Sequence, residues 1–152
     1  MQILVNIAIA CPAERVFAFV SDYTHDPAWR AGVIEMSQTP TGRSQLGTHT
    51  REVARFFGRT VTTPASVTNY EPGRAIDFAG VMAKTIRVSG SRRVEEANGQ
   101  ARFTYQATVE GLGLLGLLSP LLVLILRRRF LGDLRRLKAL LEATSPPSIS
   151  RE

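Results

Sequence analysis

Residues 47–110 alternate apolar and polar side chains almost without interruption, and no helical stretch divides them. A strand points successive side chains to opposite faces, so each run carries one face for a core and one for solvent. In 59–70, Val61, Ala65 and Val67 share one face, with Thr60, Thr62 and Thr68 on the other. Ile76 and Phe78 flank Asp77, and Ile86, Val88 and Val94 alternate with Arg87, Ser89 and Arg93. Phe103, Tyr105, Ala107 and Val109 oppose Arg102, Thr104, Gln106 and Thr108. Residues 70–73 (YEPG) have the Pro and Gly of a turn, and Asn98-Gly99 is a hairpin signal. Consecutive one-sided strands pair antiparallel; a parallel α/β sheet would need a crossover helix between strands and continuously apolar runs. Residues 47–57 form a further strand whose facing stays open. His49 and Arg51 turn inward if Val53 does, whereas Thr48, Thr50 and Phe56 fit the opposite register.

The flanks complete the pattern. Ile3, Val5, Ile7 and Ile9 sit two apart and predict a strand, which Pro12 ends. Ala13 to Val20 carries Val16, Phe17 and Val20 at helical spacing. The turn-rich piece 21–29 holds Asp22, Asp26, Pro27 and Trp29 and predicts a short second helix; 31–38 reads as a short strand. Residues 111–126 carry no charge, and from Leu126 the stripe Leu126, Phe130, Leu134, Leu137, Leu141 has 3–4 spacing. Ser119 as cap with Pro120 behind it predicts a helix start. A helix over 120–143 would be about 36 Å long, enough to cross a sheet. The expected fold is α+β: a curved antiparallel sheet of about six or seven strands, two short helices, and a long C-terminal helix over the sheet. Such layers can enclose a cavity. Residues 1–144 form a single domain in this reading, and 145–152 a disordered tail.

At 152 residues and 44% apolar composition the chain can bury a full core. Charged residues at 21% exclude general disorder, and the lone Cys11 excludes a disulfide scaffold. The net charge of +6 is uneven: residues 1–110 hold twelve basic and ten acidic side chains, residues 111–152 seven and three. A basic C-terminal segment suits an anionic surface or simply a solvated helix face. The opening residues MQILVNIAIA lack the basic region of a secretory signal, so a cytoplasmic protein, peripheral at most to a membrane, is expected.

Three stretches in order carry a family likeness. IAIACPAERVFAFVSDYTHDPAW at 7–29 joins a strand, a proline, an amphipathic helix, an Asp and a Pro-x-Trp. VTNYEPGRAIDF at 67–78 is strand-turn-strand, and RRRFLGDLRRLKALLE at 127–142 is the closing helix. Together they resemble the START-related or Bet v 1-like superfamily, also called SRPBCC or polyketide cyclase/dehydrase-like, over nearly the whole chain. Cys11 sits where alanine is usual. The resemblance implies the helix-grip fold. Members bind lipids, sterols, quinones or polyketides and some are enzymes, so it does not assign an activity.

Other chemistries lack their signatures. Gly111, Gly113 and Gly116 spell G-x-G-x-x-G, but the preceding strand alternates and Asp133 lies in a helical stretch, against the parallel βαβ unit that a dinucleotide site needs. These glycines instead suit the passage from strand to helix near a cavity mouth. His25 and His49 are the only histidines, neither at ligand spacing with Cys11, so no metal site or cofactor is expected. No G-x-S-x-G occurs, and the arginine cluster lacks the aromatic interleaving of a nucleic-acid surface. The sixteen uncharged residues fall short of the ~18–20 that cross a bilayer. Followed by Arg127, Arg128 and Arg129, they have the composition of a segment resting on an anionic membrane surface.

The expected function is binding or transport of a small hydrophobic ligand (lipid, quinone, isoprenoid or polyketide-like) between sheet and C-terminal helix. The expected lining is Trp29, Val61, Val67, Ile76, Phe78, Val88, Phe103, Tyr105, Leu122 and Leu126, with the Tyr105 phenol orienting the ligand. The alternative is a cyclase/dehydratase-type enzyme, whose acid–base candidates are Tyr105, His49 and Arg51. A third reading is an interaction module whose interior is filled.

Overall fold

A computed structural model describes residues 1–144; the tail 145–152 lies outside the described residues. Seven strands form one antiparallel sheet: β1 (Gln2–Ile9), β2 (Val33–Thr39), β3 (His49–Phe56), β4 (Arg59–Glu71), β5 (Ala75–Met82), β6 (Ile86–Ala97) and β7 (Gln100–Glu110). Their order is β1-β7-β6-β5-β4-β3-β2, so each strand from β2 to β7 lies beside its neighbour in sequence and β1 closes onto β7. The helices are α1 (Ala13–Val20), α2 (Asp26–Trp29) and α3 (Ser119–Ala143), with 3-10 turns at Tyr23–His25 and Gly113–Leu118. This is the helix-grip arrangement: a curved antiparallel sheet, two short helices and a long C-terminal helix.

Local chemistry explains the elements. Pro12 at the N-cap, with φ −57°, starts α1, which buries Val16, Phe17 and Val20. Asp22 accepts from the Thr24 amide at 3.0 Å and caps the first 3-10 turn. Asn98 and Gly99, both at positive φ, turn β6 into β7. On α3 the stripe Leu126, Leu134, Leu137 and Leu141 is buried, as its spacing requires, and Phe130 is half-buried. The start of α3 differs from expectation. The 3-10 turn runs straight into the helix, and the Ser119 hydroxyl donates back to the Gly116 carbonyl (2.6 Å) instead of capping an amide. No described helix is long and apolar enough to cross a membrane.

One core cluster joins β1, α1, β7 and α3 through Ile3, Ile9, Val16, Phe103, Leu134 and Leu137. Tyr23, Val67 and Ile76 form a smaller one. At Gly90 a Cβ would lie 2.3 Å from the Gln106 carbonyl oxygen and 2.8 Å from the Phe78 ring. The bare backbone there lets β7 and Phe78 close in. Gly90→Ala is expected to cost about 1–3 kcal/mol by overpacking, read as a lower denaturation midpoint in urea. An unchanged midpoint would mean that this contact relaxes freely.

Candidate functional site

Sheet and α3 do not close on each other everywhere. They enclose a cavity of about 450 Å³, walled mainly by apolar side chains. The sheet contributes Val61, Ala65, Phe78, Met82, Val88 and Ala107; α3 contributes Leu122, Leu126 and Phe130. At the opening the 3-10 turn places Leu112, Leu115 and Leu118 on the wall. In a 3-10 turn residues three apart share a face, which explains that set. The remaining leucines of the turn point away: Leu114 is 85% and Leu117 81% exposed. Lining residues that are also open to solvent mark the mouth, namely Phe57 (69%), Leu115 (56%) and Leu118 (51%). The glycines that spell the dinucleotide motif serve this passage. Gly111 (φ +87°) and Gly113 (φ +57°) turn the chain out of β7, and a Cβ on Gly111 would meet the Thr85 carbonyl oxygen at 2.6 Å.

Of the ten residues expected to line a cavity, Val61, Phe78, Val88, Tyr105, Leu122 and Leu126 do. Trp29, Val67, Ile76 and Phe103 are not on its wall; they are buried in the two packed clusters. Trp29 meets Phe103 edge-on at 6.0 Å and Tyr105 at 6.4 Å, so it supports the wall from behind. The open facing of β3 resolves in favour of Thr50, Glu52 and Phe56, which line the cavity. His49 and Arg51 therefore face away and are corrected as acid–base candidates. His49 is exposed, with Nδ1 2.9 Å from the Ser66 hydroxyl, and Arg51 lies 3.9 Å from Glu35 on the outer surface.

Apart from Tyr105, the charged part of the wall was missed by sequence reading. Asp26, fully buried on α2, accepts from Arg92 Nη1 at 2.8 Å and from Arg92 Nη2 at 2.5 Å. Arg30, one turn after Asp26, donates through Nη1 to Asp26 (2.9 Å) and to Glu52 (2.6 Å). Arg92 also donates to the Val20 carbonyl at 2.8 Å, tying β6 to the end of α1. Two guanidinium groups thus balance two carboxylates. Burial opposes the Arg92 charge, but Asp26 outweighs it by charge and hydrogen bond and holds the pKa above its ordinary value. Burial likewise opposes Arg30, and Glu52, then Tyr105 and Asp26, outweigh it. The Arg92 guanidinium lies 4.3 Å from the Tyr23 ring centre, 5.3 Å from that of Trp29 and 5.4 Å from that of Tyr105. Burial raises the Tyr23 pKa, so its phenol stays protonated.

Arg30, Glu52, Arg92, Tyr23 and Tyr105 all reach the cavity wall. Period-two alternation could have found Arg92, since it shares a face with Val88, Gly90 and Val94. Asp26 and Arg30 stand at i, i+4 spacing, a helical ion-pair signal. Among the described residues no three of His, Cys, Asp and Glu are grouped to hold a metal ion.

The basic cluster also divides. Arg127 and Arg128 are exposed, whereas Arg129 donates to the Arg55 carbonyl at 2.9 Å and lies 5.1 Å from the Phe56 ring centre. Arg129 thus ties α3 to β3, unlike its two neighbours. Its guanidinium occupies the space that a side chain at Gly32 would need.

A curved sheet gripping a long helix around a mostly apolar cavity defines the helix-grip class of proteins. The family described as polyketide cyclase / dehydrase and lipid transport matches residues 2–142, and the chain belongs to it. Solved structures share the fold at low identity. One from Thermus thermophilus has a TM-score of 0.80 at 19% identity, covering 96% of this chain and all of its own. A START superfamily protein from Mycobacterium smegmatis has 0.76 at 13%, covering 95% and 99%. The ZhuI aromatase/cyclase from a Streptomyces species has 0.75 at 15%, covering 98% of each chain. No curated protein matches the chain in sequence.

Proposed function

We propose that the protein is a non-catalytic carrier that binds a small hydrophobic molecule in this cavity. The observation that carries the reading is a cavity of about 450 Å³ whose mainly apolar wall opens between exposed leucines. At roughly 30 Å³ per water-sized unit, that space suits a ligand of about fifteen non-hydrogen atoms. Each methylene buried there contributes about 0.8 kcal/mol. Titration with the uncharged fluorophore N-phenyl-1-naphthylamine is expected to give saturable, one-to-one enhancement; none would argue for a filled interior.

Loading takes place, in this reading, at an anionic membrane surface. Leu114, Leu117, Leu121, Leu124 and Ile125 are exposed beside the mouth, and Arg127 and Arg128 follow on the same helix. Apolar side chains next to cations match the boundary between acyl chains and anionic headgroups. At about 1 kcal/mol per arginine near such a surface, Arg127→Gln with Arg128→Gln should weaken binding about thirtyfold. Flotation with vesicles of phosphatidylcholine and phosphatidylglycerol in low salt reads this. Equal flotation of wild type and variant would remove the membrane from the account.

A second reading, a cyclase/dehydrase-type enzyme, has one observation in its favour: Tyr105, Arg30 and Glu52 share the wall. For an enzyme using that phenol as acid, Tyr105→Phe would lower turnover by roughly a hundredfold or more.

A further inference from the structure

Besides the hydroxyls of Tyr23, Thr50, Thr63, Ser89 and Thr108, the cavity wall carries Tyr105 and two guanidinium groups whose hydrogen bonds are used unequally. Arg92 has both terminal nitrogens engaged, by Asp26 and by the Val20 carbonyl, and its Nε is buried without a partner, out of a ligand's reach. Arg30 donates to Asp26 and Glu52 through Nη1 alone, so Nε and Nη2 have no partner among the described residues. Tyr105, 3% exposed, makes ring contacts with Trp29, Phe103 and Phe130, and its hydroxyl has no hydrogen-bond partner among the described residues. The Arg30 guanidinium lies 6.0 Å from the Tyr105 ring centre, and both side chains line the cavity. The Tyr105 hydroxyl and the free edge of Arg30 are both donors. Among the described residues the fully buried polar atoms left without a partner are Tyr23 Oη, Trp29 Nε1, Asp77 Oδ1 and Arg92 Nε, so Tyr105 and Arg30 are the accessible ones.

The charge balance decides what kind of acceptor. Asp26 and Glu52 neutralise Arg92 and Arg30, and the nearby buried Asp133 is paired with Arg136. A carboxylate or phosphate on the ligand would add an anion to a neutral, buried set, and a bare charge in an apolar cavity is strongly disfavoured. An ammonium group would leave the opposite excess. An uncharged oxygen, such as that of a ketone, ester or quinone, accepts from Tyr105 and Arg30 and changes no charge.

We infer that the cavity selects an uncharged amphiphile, whose carbonyl-type oxygen rests on the Tyr105 hydroxyl and the free edge of Arg30 while its hydrocarbon lies along the leucine-lined wall. The inference rests on the ligand-binding reading above and adds the head group to it.

Three ligands of matched length test it: 2-undecanone, undecane and decanoate at pH 7.5, each competing with N-phenyl-1-naphthylamine. The ketone is expected to bind at least about tenfold more tightly than decanoate. Tyr105→Phe should weaken the ketone about fivefold to tenfold, the scale of one hydrogen bond, and leave undecane unchanged. This substitution removes one atom that is not bonded within the protein, and a thermal melt on the same sample confirms the fold. Decanoate binding as tightly as the ketone would overturn the inference, as would a Tyr105→Phe protein that treats ketone and alkane alike. Failure of all three ligands to compete, with the fluorophore bound, would overturn it as well. Failure of the fluorophore itself to bind would instead overturn the carrier reading on which it rests.

Discussion

Asp26→Leu is expected to destabilise the protein by about 3–5 kcal/mol, the cost of stranding a buried charge by removing its partner. Asp26 is the only described carboxylate that touches both buried guanidinium groups, and it is itself fully buried. Its loss leaves Arg92 with the Val20 carbonyl alone, beneath three aromatic rings. Arg30 keeps Glu52, so most of the effect falls on Arg92. For a chain of this size the melting temperature should drop by roughly 10 °C. Adding Arg92→Met to Asp26→Leu removes the stranded charge and should restore much of the loss, because well-packed apolar replacements of a buried pair are often neutral. A melt unchanged by Asp26→Leu, or a double variant worse than the single, would show that the network is not what joins α1, α2 and β6.

The second large effect concerns the hollow. Val88 faces the cavity from β6, in the strand register that pairs it with Val109. Val88→Trp places an indole in space that the protein leaves open. Displacing roughly three methylene-sized groups of ligand, at ~0.8 kcal/mol each, lowers affinity about fiftyfold. The melting temperature should stay within a few degrees, since the new ring fills space without replacing another side chain. Competition against N-phenyl-1-naphthylamine checks the first point and a thermal scan the second. Full affinity in the variant would place the ligand elsewhere; a large fall in stability would mean that the wall cannot accept an indole.

Period-two alternation carried most of the fold into view, because one-sided strands declare their inner face. It gives the face and not the depth. Val67, Ile76 and Phe103 point the same way as Val61, Val88 and Tyr105, yet the first three pack against α1, the 3-10 turn at Tyr23–His25 and α3. The second three stand where sheet and α3 part. Strand β3 resisted reading for another reason: Thr50 and Glu52 on one face and His49 and Arg51 on the other are all polar, so no hydrophobic contrast sets the register. Arg92 lay on a legible inner face, but an arginine is buried only when paired, and its partner is 66 residues away on α2. Long-range pairing of that sort leaves no local trace. The polar end of the cavity, which bears most on ligand choice, was therefore the least visible part.

In the proposed function the cavity holds a small hydrophobic molecule. Native mass spectrometry of the purified protein, followed by organic extraction and identification of what is released, tests it most directly. A stoichiometric apolar adduct is expected on the wild type and should be lost or much reduced in Val88→Trp. A bare protein mass, still bare after incubation with mixed lipids and quinones, would contradict it.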